Sequence, residues 1–275
     1  MARKTGGLSK QMGTNGNVAG VVKRSVSRKG NPGEQRERAP AAETAAAFLD
    51  QQFPSCEAAF LAGSASRGEA GPHSDLDIVI LDHALRPYRA SFFLNGWPIE
   101  SFLHTEASCQ EQFQIERSKG RPVLASMVAE GNLLKDNGKG IGLKELAVQF
   151  LARGPASLTA DQIRDSRYFQ FDLLDDFRDA RSEEEAMITL NAMSVRLMDF
   201  LLRYNNQWSG SGKTLVRAFR SFDSGLSDRW FQALTSYYQE GDRRQVIRFV
   251  EEVYQPLGGR LFAGYSSWLD TGEPK

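Results

Sequence analysis

The stretch Leu61-Ala-Gly-Ser-Ala-Ser-Arg-Gly-Glu-Ala-Gly-Pro-His-Ser-Asp-Leu-Asp-Ile-Val-Ile-Leu81 decides how the chain is read. Residues 56–62 are small and apolar and predict a strand. Gly63-Ser64 ends it with a residue free of dihedral restriction and a hydroxyl beside exposed backbone N–H groups, a turn of the kind that cradles phosphate. A polar loop and short helix follow. Residues 75–81 then predict a second, buried strand on which Asp75 and Asp77, two apart, share one face. Two carboxylates on one face repel unless a cation lies between them. Chemistry that uses such a pair is phosphoryl or nucleotidyl transfer assisted by divalent metal.

Gly63-Ser64, Arg67-Gly68 and Asp75-x-Asp77 in this order and spacing resemble the signature of the DNA polymerase beta-type nucleotidyltransferase superfamily. The likeness is greatest to small bacterial members and to aminoglycoside nucleotidyltransferases, in which such a domain precedes a helical one. The resemblance implies two Mg²⁺ ions on Asp75, Asp77 and a third carboxylate from a later strand. It also implies that Gly63, Ser64 and Arg67 bind nucleotide. The best match to the third carboxylate is Glu100. It lies in the strand predicted over 97–104, where Ile99, Ser101 and Leu103 alternate with Glu100, Phe102 and His104.

The 275 residues suffice for two modest domains, and the 41% hydrophobic content is that of a globular protein. Net charge is zero but unevenly placed. Residues 1–40 hold nine Lys/Arg against two Asp/Glu, leaving 25 basic and 32 acidic residues in the body. An acidic body argues against a broad basic nucleic-acid surface and leaves a local groove open. Residues 1–40, with seven glycines and no aromatic residue, read as a disordered basic tail. Cys56 and Cys109 have no metal-type spacing and no apolar run spans a bilayer, so a cytoplasmic setting without membrane attachment is expected.

Order is expected from Ala41, in a helix closed by Pro54. Tyr88 to Leu94, bracketed by Arg86-Pro87 and Asn95-Gly96, is compatible with strand or irregular structure. Residues 106–130 predict two helices broken at Gly120-Arg-Pro122, and 132–136 a last strand. The fold expected is α+β, with a small mixed-sheet catalytic domain over 41–140 and an all-α helical domain over 141–275.

Within the helical part, Thr159 caps one helix and Ser182-Glu-Glu-Glu is a capping box opening another. Met187, Leu190, Met193, Leu197 and Phe200-Leu201 are expected in its core. Trp208-Ser-Gly-Ser-Gly-Lys-Thr214 is not a phosphate loop, because Gln207 stands where glycine is required and a helix precedes it. By the family resemblance, Lys213 at this glycine-flanked helix start, with Arg217, is a candidate phosphate contact. Asp175 or Asp176, in an acidic cluster with Asp172 and Asp179, is a candidate for contacting or deprotonating the acceptor.

The activity expected is transfer of a nucleoside monophosphate, AMP from ATP in the first instance, to a hydroxyl with release of pyrophosphate. A small-molecule acceptor such as an aminoglycoside is favoured, with protein or RNA acceptors open. The alternative is an antitoxin-like or regulatory member that grips or modifies a protein or RNA partner, and the basic tail is the feature that favours it.

Overall fold

The computed structural model describes residues 38–267. The expected disordered tail falls outside them except for its last three residues. By contacts the chain divides into one unit of residues up to Leu103 with Asn132–Gly140, and a second of His104–Gly131 with Ile141 onward.

In the first unit, helix α1 (Ala41–Gln52) precedes a five-stranded sheet of order β3-β4-β2-β1-β5. The strands are β1 (Ala58–Ala62), β2 (Leu76–Leu81), β3 (Tyr88–Leu94), β4 (Trp97–His104) and β5 (Asn132–Asp136). The four-residue helix α2 (Gly63–Ser66) sits between β1 and β2. Antiparallel pairing joins β1 to β2 with Ala62 opposite Asp77, and joins β1 to β5. The open reading of residues 88–94 resolves as strand. Asn95 (φ 48°) and Gly96 (φ 80°) make a two-residue hairpin turn that pairs Leu94 with Trp97.

One sheet face is covered by α1. Phe48, Leu49 and Phe53 pack with Ala59, Leu61, Leu76, Ile78, Ile80, Ile99 and Leu103 in one buried cluster. Alternate residues of β2 and β4 are thereby committed to this core, and Asp77, Glu100 and Phe102 must face the other way.

The second unit is all helical: α3 (Glu106–Lys119), α4 (Val123–Glu130), α5 (Gly140–Ala152), α6 (Ala160–Asp179), α7 (Glu183–Tyr204), α8 (Lys213–Phe222), α9 (Ser224–Glu240) and α10 (Arg244–Tyr254). The α+β class is as expected. The core comprises Phe171, Leu174, Phe177, Leu190, Met193, Leu197, Phe219, Trp230, Phe249 and Tyr254 among others. Met187 is a correction: it is 43% exposed, and Ala186, fully buried, takes the inward position one residue earlier. The Ser182 cap also differs in detail. Its hydroxyl accepts from Glu185 N, but the Glu185 carboxylate accepts from Arg181 N instead of from the cap residue.

Two buried charged side chains close helix ends in this unit. Pro122 precedes α4 and supplies no side-chain cap, so its first N–H groups need another acceptor. Glu116 provides it, accepting from Leu124 N (2.6 Å) and Ala125 N (3.1 Å). Burial pushes the Glu116 carboxyl above its usual range, and the donated N–H bonds oppose that shift. Arg203 of α7 does the converse at the end of α3, donating to the carbonyls of Lys119, Ser118 and Ala156 at 3.1–3.3 Å. Glu116→Gln keeps the side-chain shape but turns an amide NH₂ toward a backbone N–H. Its unfolding free energy in urea is expected to fall by about 1–3 kcal/mol, the cost of a buried donor left unmatched.

Candidate active site

The acidic residues are assembled by the sheet. β4 is the neighbour of β2, so the Glu100 strand lies beside the strand that carries Asp77 and directly follows Asp75. Asp75, Asp77 and Glu100 are all half-buried, and each offers a carboxylate oxygen within 4.8 Å of those of the other two. Three hard oxygen donors at this spacing, without sulfur or imidazole among them, suit Mg²⁺ or Mn²⁺ in preference to zinc.

Gly63 is set against this cluster. Its φ is +71°, and a Cβ built on it would stand 2.2 Å from Asp77 Oδ2. The space a side chain needs is therefore the space the carboxylate occupies. Glycine is required here on both counts, steric and conformational.

The loop from Ser64 to Asp75 is held by its own polar groups. The Ser64 and Ser74 hydroxyls lie 3.1 Å apart, Gly71 N donates to Ser74 Oγ at 2.9 Å, and Glu69 N donates to Ser64 O at 2.9 Å. Arg67 reaches Glu69 at 3.1 Å. Arg38 braces the loop from outside, donating to the Gly71 and Pro72 carbonyls while its guanidinium lies 4.3 Å over Trp97. The structure thus brings Gly63, Ser64, Asp75, Asp77 and Glu100 into one region of the first unit, with Arg67 on the same loop.

Reading by residue type missed Arg89. It lies on β3, and its guanidinium is paired with the Glu100 carboxylate. Alternation within residues 88–94 is too weak to orient it, and the cross-strand register that sets the pairing is absent from the sequence pattern.

The remaining candidates belong to the second unit. Lys213 is exposed at the first position of α8, after Gly212 (φ 50°), and Arg217 is exposed one turn on. No strand precedes this turn, which follows α7, in keeping with rejection of a phosphate loop. Gly210 has a packing reason, since a Cβ there would meet Thr214 Oγ1 at 2.5 Å and Leu215 N at 2.8 Å. Asp172, Asp176 and Asp179 are exposed, and Asp175 is held by Arg178 (3.1 Å) and Arg260 (2.6 Å). The Arg260 hydrogen bond holds the Asp175 carboxyl below its ordinary range, which makes it a poor base. Cys56 and Cys109 are buried free thiols, and burial pushes Cys109 up to about 12. Among the described residues no helix is long and apolar enough to cross a membrane.

Gly63→Ala forces a side chain onto the Asp77 carboxylate and a positive φ on an L residue. Unfolding free energy is expected to fall by about 1–3 kcal/mol. Thermal denaturation with and without Mg²⁺ checks it, and the stabilisation by metal should also shrink because Asp77 is displaced.

The family model described as the nucleotidyltransferase domain matches residues 43–124. No curated protein matches the chain. Among solved structures, the chain is similar to a nucleotidyltransferase-like protein from Exiguobacterium sibiricum 255-15. The two are 13% identical, with a TM-score of 0.40 over 76% of this chain and 71% of that one. The glycine turn, the Asp-x-Asp strand and Glu100 all fall inside the segment 43–124 that matches the nucleotidyltransferase domain model.

Proposed function

We propose that this protein is a metal-dependent nucleotidyltransferase that moves a nucleoside monophosphate, AMP from ATP in the first instance, to a hydroxyl and releases pyrophosphate. The observation that carries the reading is the approach of Asp75, Asp77 and Glu100 within 4.8 Å inside the matched domain. These residues would hold Mg²⁺, two ions by the family resemblance. The metal supplies charge neutralisation at the triphosphate and a lowered pKa for the attacking oxygen.

The remaining roles fall to the chain itself. Gly63 lets the backbone approach Asp77, and Ser64 opens the short turn where the β- and γ-phosphates are assigned. Arg67 lies on the same loop and adds a cation for the phosphates. Lys213 is assigned as a further phosphate contact. The chemistry is assigned to the catalytic domain expected over 41–140, whose segment 104–131 groups by contacts with the second unit, and selection of the acceptor is assigned to the helical domain of 141–275. A small-molecule hydroxyl, of which an aminoglycoside is one example, is favoured, and the net acidic body outside residues 1–40 weighs against an RNA acceptor.

Incubation with labelled nucleoside triphosphates and a panel of aminoglycosides, other alcohols, proteins and RNA 3′ ends, read by mass shift, tests the assignment. Absence of transfer to any class, with metal and nucleotide bound, would reduce the protein to a binding member of the family.

Asp77→Asn and Glu100→Gln are each expected to cut turnover by orders of magnitude while the protein stays folded. Removing one carboxylate from a crowded anionic set relieves repulsion, so the metal-free melting temperature should hold or rise. Mg²⁺ should stabilise the wild type by mass action and these variants much less. Extensive unfolding of Asp77→Asn would instead assign the residue a structural role.

Lys213→Ala is expected to weaken triphosphate binding by about 1–3 kcal/mol, the range of a charge-assisted hydrogen bond, and to leave adenosine binding unchanged. Calorimetric titration with ATP and with adenosine in Mg²⁺ checks this. Equal ATP affinity would remove Lys213 from the phosphate site.

A further inference from the structure

The candidate metal ligand Glu100 already has a cation. Arg89 and Glu100 are diagonal neighbours on one face of the β3–β4 hairpin, since Arg89 stands opposite Phe102 and Ser91 opposite Glu100. The Arg89 guanidinium donates to the Glu100 carboxylate while its plane rests 4.9 Å over the Phe102 ring. β3 is the edge strand, and the Arg89 side chain is 61% exposed against 27% for Glu100.

Three physical facts bear on this pair. An exposed ion pair is close in energy to its separated, hydrated partners, so it exchanges readily. A unit positive charge beside Glu100 repels any divalent ion that Glu100, Asp75 and Asp77 would bind together. Guanidinium also matches phosphate geometry with two parallel N–H donors, so an arriving triphosphate offers Arg89 a better partner than one half-buried carboxylate. Phe102 supports the guanidinium by cation–π contact and keeps it near the centre after it leaves Glu100.

We propose that Arg89 is a placeholder cation for the metal centre. It neutralises Glu100 in the substrate-free protein and passes to the phosphates of an incoming metal–nucleotide complex. Its charge thus opposes binding of the bare ion and favours binding of ion and nucleotide together. The inference rests on the metal-dependent reading above and adds to it an order of loading: free divalent metal binds weakly, and nucleotide carries it in.

The test uses the full chain as wild type, Arg89→Ala and Arg89→Gln, the latter keeping length and polarity without charge. Free Mn²⁺ binding is followed by electron paramagnetic resonance without nucleotide. A non-hydrolysable ATP analogue is titrated by calorimetry in saturating Mg²⁺. Both variants should bind Mn²⁺ about tenfold more tightly, the size of the repulsion between a unit charge and a divalent ion about 6 Å apart in water-like dielectric. Both should bind the Mg²⁺–analogue complex about tenfold more weakly, as expected for loss of one charge-assisted phosphate contact.

Unchanged or weaker Mn²⁺ binding in both variants overturns the placeholder role, and so does unchanged analogue binding. Failure of the wild type itself to bind Mn²⁺ and analogue would overturn the metal-dependent reading and this inference with it. Normal wild-type binding with unaffected variants would overturn the inference alone.

Discussion

Mutual repulsion among Asp75, Asp77 and Glu100 is the constraint around which the first unit is built. Three carboxylates with oxygens within 4.8 Å of one another do not gather spontaneously, so other contacts must hold them. The hydrophobic cluster beneath α1 does so: Leu76, Ile78 and Ile80 of β2 and Trp97, Ile99 and Leu103 of β4, which alternate with the outward-facing positions, are buried in it. Turning an acidic residue away from its neighbours would expose that cluster to water. The energy that keeps the charges together is therefore apolar burial on the opposite sheet face.

The same constraint shapes the backbone around the site. Gly63 accommodates Asp77 where any side chain would overlap it, and the loop beyond it is closed by serine hydroxyls and braced by Arg38. The acidic groups are half-buried, which leaves water to screen part of their repulsion and leaves room for a ligand. Arg89, drawn in from an edge strand, offsets one of the charges without sealing the centre. The clustered carboxylates, their partial exposure and the paired Arg89 are the features on which the metal–nucleotide reading proposed above rests.

The second unit solves a different problem with related means. Helices α6–α10 share one apolar core, and the costly elements are helix ends brought into the interior. Glu116 and Arg203 close them by giving a buried carboxylate to backbone N–H groups and a buried guanidinium to backbone carbonyls. Each charge is matched to partial charges of opposite sign at a helix terminus instead of to a counter-ion. Gly120 belongs to this arrangement, because a Cβ there would lie 2.1 Å from Arg203 Cδ. Asp175, a candidate acceptor contact by sequence, is instead committed to Arg178 and Arg260.

The sequence by itself determined what depends on local order. Glycine after an apolar strand, two aspartates at strand spacing and the alternation around Glu100 were legible because side-chain direction follows a period of two along one strand. Helix starts at Thr159 and Ser182 were legible because a side-chain hydroxyl there accepts from a backbone N–H of the first turn, and the likeness to nucleotidyltransferases was legible from the order and spacing of Gly63-Ser64 and Asp75-x-Asp77. Tertiary structure decided what depends on register and packing between segments distant in the chain. The diagonal that pairs Arg89 with Glu100, the use of Glu116 to cap a helix that begins seven residues later, and the inward turn of Ala186 in place of Met187 are of this kind. Composition and periodicity say which face a residue occupies, but only the assembled fold says which partner waits there.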